Sequence, residues 1–442
     1  MSATSLFACI ACGRTYPMSE IRQACDACGD LLEVRHDMAR LKAMGDGDFF
    51  RRLFDGRLAE IHSPYRSGVW RYRELVLPDL PLEDVVTFPE GNTNLYIVPR
   101  LAREAGVDAG AVRVKHEGEN PTLSFKDRGM TAGVSFAGRL RVPLVACAST
   151  GDTSAAMAAY AARASGMRAL VVLPRGKVSE EQLAQPLASG AMTVTLPTDF
   201  DGCLRLLRDL CARRPLYLLN SVNPVRLEGQ KAIAYEIAQQ MEWQPPDWVV
   251  VPVGNAGNIS AIGKGFRDLV ELRITDRVPR LLGAQAEAAA PLARAHRDGY
   301  TARVRVTAGP TAASAIRIGD PVSYDKAVRV VRDSGGAFLA ASEQEIYDAK
   351  AVVDADGVAI CPNSATAAAA YLRARRDGLI APDQSAVVVA TAHGCKFSRA
   401  TIEYHSGTLA GIEARRPNRI LEVEADVAAL ERWLDTRAEG EP

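Results

Sequence analysis

The 442-residue chain carries 53 basic and 53 acidic side chains, with 48% hydrophobic and 24% charged residues, the make-up of a globular protein rather than a disordered one. No stretch approaches the roughly 20 apolar residues a spanning helix needs, and a balanced charge offers no field that favours a phosphate backbone. Membrane and nucleic acid are therefore set aside as partners, and the length predicts several packed units with room for a cleft.

The opening MSATSLFACI has no basic leader before a long apolar run, so the expected location is cytoplasmic. Cys9, Cys12, Cys25 and Cys28 then read C-x2-C-x12-C-x2-C. That spacing lets four sulfurs close a tetrahedron round one zinc, as in a zinc ribbon. Gly13 and Gly29 each follow the second cysteine of a pair, where a tight turn is best served by glycine. Four free thiols are the plainer alternative. With all four positions taken by protein, the expected zinc is structural. Cys147, Cys203, Cys211, Cys361 and Cys395 are scattered singly and read as reduced packing residues.

From about Arg35 to Glu90 the chain is mixed helix and loop, and Trp70 and Tyr72 read as packing residues. Beyond Ala111, short apolar runs alternate with helix-length segments: AVRVKHE, VPLVACAS, ALVVLP, MTVTLP, PLYLLN, WVVVPVG, LLGAQAE and AVVVATA. Buried parallel strands joined by crossover helices have this pattern, and the fold class is α/β. Two junctions stand out. Ser149-Thr150-Gly151-Asp152-Thr153-Ser154 opens an alanine-rich helix and suits a carboxylate, although read alone it is better explained as a capping cluster. Gly254-Asn255-Ala256-Gly257-Asn258 follows WVVVPV and suits a phosphate at a helix N-terminus, although a lone glycine pair is more often an ordinary turn.

The run Asn120-Pro121-Thr122-Leu123-Ser124-Phe125-Lys126-Asp127-Arg128-Gly129 separates those readings. It resembles the signature of the fold-type II pyridoxal-phosphate (PLP) enzymes, in their threonine synthase branch, and both junctions fall where that family places them. Asn220 to Lys231 and Thr391-Ala392-His393-Gly394 extend the resemblance from end to end, toward the plant-type enzymes. It implies two open, mostly parallel twisted-sheet domains of the tryptophan synthase β-like kind, plus the small ribbon. The expected division is 1–36 ribbon, 37–133 with 220–420 large PLP-binding domain, 134–219 small domain, and 421–442 C-terminal helix or tail.

By that resemblance Lys126 is the Schiff-base lysine and proton carrier, with Phe125 beside the cofactor ring. Gly254, Asn255, Ala256, Gly257 and Asn258 cradle the cofactor phosphate, and Thr391 meets the pyridine nitrogen. Asp152 takes the place beside the 3'-oxygen, where an ionised carboxylate next to a phenolate calls for a shared proton. Ser149, Thr150, Gly151 and Thr153 take the substrate carboxylate. Asn220, Ser221 and Arg226 take the substrate phosphate, with Lys115 as a further candidate for that anion. The activity implied is a carbon–oxygen lyase reaction turning O-phosphohomoserine and water into threonine and phosphate, in a homodimer. Alternatives are a threonine dehydratase, a phosphoserine-using synthase, and a noncatalytic zinc-ribbon binding protein on an inactive fold. The S-adenosylmethionine activation known in the plant branch is not carried over, because the ribbon stands in its place.

Overall fold

Among the described residues three sheets organise the chain, and the short apolar runs form most of the two larger ones. The computed structural model describes residues 4–149, 151–176 and 180–438. Its strands are β1 (Ser5–Cys9), β2 (Thr15–Pro17), β3 (Leu32–His36), β4 (Leu95–Ile97), β5 (Val112–His116), β6 (Leu144–Ala148), β7 (Arg168–Pro174), β8 (Met192–Leu196), β9 (Tyr217–Leu218), β10 (Trp248–Pro252), β11 (Arg280–Ala286), β12 (Ala337–Ala341) and β13 (Ala386–Ala390). A six-stranded sheet has the order β12-β11-β10-β13-β5-β4, and a four-stranded one the order β8-β7-β6-β9. Every pairing in them is parallel except that of β4 with β5, an antiparallel edge.

All eight expected runs contain a strand, and the α/β class is as expected. Only Tyr217–Leu218 of PLYLLN joins the ladder. The strand β12 was missed because its AFLAA sequence follows two glycines and holds little β-branched character. No described helix is long and apolar enough to cross a membrane.

Ligands in such folds sit beyond the carboxyl ends of the strands. The segments after β5, β6, β9, β10 and β13 lead into the Lys126 helix (Lys126–Arg139), the Asp152 helix (Asp152–Arg163), the Arg226 helix (Pro224–Gln230), the Gly257 helix (Gly257–Glu271) and the Thr391 turn. The Lys126 helix is buried nearly all round, which its small residues permit. A Cβ on Gly229 would lie 1.9 Å from the Arg128 carbonyl oxygen, and one on Gly133 would lie 3.3 Å from Arg226 Cγ. Glycine at both positions lets the Lys126 and Arg226 helices pack backbone to backbone.

The segment from about Arg35 to Glu90 packs as expected. Trp70 and Tyr72 are buried, and the Trp70 indole donates to Thr131 Oγ1 at 2.8 Å on the Lys126 helix. A small antiparallel sheet, β2-β1-β3, carries the N-terminal cysteines. The chain divides into two compact units, Met1–Phe397 and Ser398–Pro442. The second contains two described helices, Ser398–Ser406 and Val427–Ala438. Its first helix, Ser398–Ser406, buries Tyr404 alone, and hydropathy along the chain does not reveal so thin a core.

Candidate active site

The Lys126 loop is built from its own polar side chains. Asn120 accepts from the Gly91 amide at 2.9 Å and donates to the Glu117 carbonyl at 2.7 Å. The Thr122 amide and hydroxyl both donate to Asp127, at 2.9 Å each, while Leu123 turns the chain with φ of 64°. The Phe125 amide then donates to the Thr391 carbonyl at 2.9 Å, and the His393 amide to the Leu123 carbonyl at 3.1 Å. These two bonds bring Lys126 and Thr391 to one place from opposite ends of the sequence.

Lys126 Nζ lies 4.1 Å from the centre of the Phe125 ring. Withdrawal from water pushes its amine down to about 7; the Arg226 and Lys396 charges add to the shift and the Asp152 carboxylate opposes it. A lysine free of its proton near neutrality is the nucleophile a cofactor aldehyde requires.

Ser364 at the start of the Pro362–Arg376 helix holds Thr391. Its hydroxyl accepts from the Thr391 amide at 2.8 Å and lies 3.3 Å from Thr391 Oγ1. Cys361 Sγ caps that helix from the Ser364 amide at 3.4 Å. His393 turns aside, its Nδ1 accepting from the Cys395 amide at 3.1 Å.

At the Gly254–Asn258 junction, Ala256 adopts the left-handed conformation with φ of 64°, and a Cβ on Gly254 would press against Ile316 Cα at 2.9 Å. The loop thereby turns its amides to the N-terminus of the 15-residue Gly257 helix. Asn258 is buried, yet both atoms of its amide lack a partner. So does the buried hydroxyl of Ser323, which would lie 4.0 Å from a Cβ on Gly257. Unpaired buried polar atoms cost about 1–3 kcal/mol each, so their convergence on a helix N-terminus fits a phosphate. Ser323 was missed in the sequence. Its only local signal is a serine before the Tyr324–Asp333 helix, and the bond from its amide to the Asn255 carbonyl at 3.0 Å brings it to the loop.

In the Ser149–Ser154 junction, Thr150 lies outside the described residues. The Gly151 amide meets Ser149 Oγ at 3.4 Å, and the Ser154 hydroxyl closes on the Gly151 carbonyl at 2.7 Å. Thr153 stays buried in the first turn of a 12-residue helix. Asp152 is paired with Lys396, Nζ to Oδ1 2.8 Å. The Lys396 ammonium thus stands beside the side chain expected at the cofactor 3'-oxygen.

Three residues expected at the substrate phosphate diverge. Arg226 is 2% exposed; its Nη1 donates to the Leu219 carbonyl at 2.9 Å, its Nε has no partner, and no carboxylate pairs with it among the described residues. Burial pushes its guanidinium down to about 10, still charged at neutral pH. A buried, unneutralised cation of this kind awaits an anion. Asn220 differs from expectation: its amide donates to the Ala148 carbonyl at 2.7 Å and accepts from the Ala148 amide at 3.0 Å. It fixes the end of β6 and so the carboxylate loop, while Ser221 is half-buried at the same turn.

Lys115 is a correction. It is fully buried, its Nζ donating to the Thr93 carbonyl at 2.6 Å and to Gln240 at 2.8 Å and pairing with Glu236 at 3.1 Å. Glu236 also pairs with Arg128, which is forked onto Glu117 at 2.6 and 2.7 Å. With every donor directed inward, Lys115 serves a structural network and no ligand.

The four cysteine sulfurs converge as expected, all within 4.8 Å of one another. Cys9 and Cys28 are 3.4 Å apart and Cys12 and Cys25 3.6 Å, close to the roughly 3.8 Å edge that Zn–S bonds of about 2.3 Å imply. Gly13 and Gly29 have φ of 74° and 75°, and their amides bond the Cys9 and Cys25 carbonyls at 3.1 and 2.8 Å, the tight turns expected of glycine.

Comparison with known proteins follows the same lines. The family profile described as "Pyridoxal-phosphate dependent enzyme" matches residues 86–392. Threonine synthase 2, chloroplastic, of Arabidopsis thaliana is 46% identical over 408 residues, covering 91% of this chain and 78% of the plant protein. The threonine synthase of Methanocaldococcus jannaschii is 41% identical over 430 residues, covering 96% and 98%. Among solved structures, threonine synthase from Escherichia coli superposes with a TM-score of 0.68 over 98% of this chain and 100% of its own, at 20% identity, a likeness of fold.

Proposed function

The chain belongs to the pyridoxal-phosphate-dependent enzymes and, among them, to the threonine synthases, and on that premise we propose which of its residues carry out the reaction. It converts O-phosphohomoserine and water into threonine and phosphate. Bound pyridoxal phosphate supplies an electron sink for negative charge developing on the substrate carbons. Asn258, Ser323 and the amides of Gly254 to Gly257 hold the cofactor phosphate, and the Thr391 hydroxyl faces the pyridine nitrogen. A hydroxyl there carries no charge to keep that nitrogen protonated, so more control of the chemistry passes to Lys126.

Ser149, Gly151 and Thr153 receive the substrate carboxylate at the start of the Asp152 helix, where the amides and helix dipole favour an anion. Arg226 takes the substrate phosphate. Lys126 removes a proton from Cα and then from Cβ; the Cγ–O bond breaks and phosphate leaves to the guanidinium. Water then adds hydroxide at Cβ, and protons return to Cα and Cγ. The lysine suits both directions, because an amine titrating near neutrality accepts and returns protons with little driving force wasted.

One observation carries this reading over a simple dehydratase: Arg226 is a buried cation with no carboxylate partner among the described residues, close enough to Lys126 to lower its pKa. The test is purified, cofactor-loaded protein given O-phosphohomoserine. Threonine and phosphate should appear in equal amounts. Release of 2-oxobutyrate without threonine, or a preference for phosphoserine, would overturn the assignment.

The same reading includes a structural zinc on Cys9, Cys12, Cys25 and Cys28, a small domain over 134–219, a homodimer and a cytoplasmic location. The sulfur geometry supports the first and the separate four-stranded sheet the second. Metal analysis, limited proteolysis, sedimentation and cell fractionation test the four in turn.

A further inference from the structure

Lys396 has no place in the roles assigned so far, yet it touches two parts of the active site. It sits in the Gly394–Phe397 turn that follows Thr391. Its Nζ lies 2.8 Å from Asp152 Oδ1 and donates to the Thr122 carbonyl at 2.9 Å. Thr122 belongs to the loop that delivers Lys126; Asp152 opens the helix whose first turn holds the carboxylate site. The bond therefore joins residues positioned by the six-stranded sheet to a residue positioned by the four-stranded one.

We propose that Lys396 is a positioning residue of the reaction: anchored on the Thr122 carbonyl, its ammonium pairs with Asp152 beside Lys126, and the two opposite charges held in this pair together set the protonation of the lysine–cofactor nitrogen. This rests on the reading of Lys126 given above.

Enclosure argues against an incidental ion pair. The two side chains are 15% and 11% exposed, whereas pairs that contribute nothing measurable are open to solvent. Lys126 is acted on by Arg226, Asp152 and Lys396; Lys396 also acts on Asp127 of the Lys126 helix, and Asp152 on Cys361 before the Pro362–Arg376 helix. Asp152 and Lys396 act on Lys126 with opposite sign, so removing either should displace its protonation in opposite directions.

The experiment is a pH titration of the visible absorption of the cofactor-loaded enzyme, alongside thermal unfolding to confirm the fold. Lys396→Met should move the midpoint of the proton-bearing chromophore upward by about one pH unit, roughly tenfold in the equilibrium. Lys396→Arg should restore it. Asp152→Asn should move it downward, a result independent of whether the methionine variant folds, and the double variant Lys396→Met with Asp152→Asn should return close to wild type. A methionine or asparagine profile coinciding with wild type at every pH overturns the proposal. So does a double variant whose midpoint stays where Lys396→Met alone places it. Failure of the underlying reading looks different: borohydride would then fix no cofactor on Lys126 in the unaltered protein.

Discussion

The protonation of Lys126 before cofactor binding gives a sharp test of the site. Only a free amine attacks the cofactor aldehyde, and burial, Arg226 and Lys396 together bring this amine from 10.5 to about 7. At about pH 8, a lysine titrating at 10.5 is free in roughly 0.3% of molecules and one titrating at about 7 in roughly 90%, a difference of about 300-fold in reactive amine. Stopped-flow mixing of cofactor-free enzyme with pyridoxal phosphate, followed by growth of visible absorption, reads this directly. The capture rate should rise with pH, bend near 7 and stay level above it. Arg226→Met should move the bend upward, because the guanidinium is the second cause of the shift. A rate still climbing toward pH 10, as an ordinary lysine would give, refutes the reasoning.

Other consequences are as definite. Arg226→Met should raise KM for O-phosphohomoserine by about 10- to 100-fold, since a charge-assisted hydrogen bond to the phosphate contributes about 1.5–3 kcal/mol, whereas an unchanged KM would remove Arg226 from the substrate site. Asn258→Ala should weaken cofactor binding in equilibrium dialysis by about tenfold, one hydrogen bond's worth, and unaltered affinity would leave the orphan amide unexplained. Glu117→Gln should cost on the order of 3 kcal/mol in denaturant unfolding, because it strips half the pairing from a fully buried guanidinium; a loss within the scatter of surface substitutions would mean that the network relaxes. Chelation of the ribbon metal should lower Tm and release a single zinc per chain, as four thiolates on one ion require, and a metal-free protein with unaltered Tm would refute a structural zinc.

Much of this was legible in the residues because it is local. The strand runs, the glycines after the cysteine pairs, the turn at Gly254–Asn258 and the Asn120–Gly129 run each hold their chemistry within a dozen residues, where spacing and backbone preference act directly. What the sequence determined by itself was therefore the class of fold, the lysine and the loops that surround it. The tertiary structure alone decided which polar side chains reach the site and which are taken up elsewhere. Lys115 lies only a few residues before the motif, yet Glu236 and Thr93 draw it into the core. Asn220 stands in a signature run, yet it bonds the Ala148 backbone. Lys396 and Ser323 carry no motif and arrive beside Asp152 and Gly257 through the packing of distant strands. A charged side chain has no preference for one partner until burial removes water as the alternative, and burial is settled only when the sheets and helices close around it.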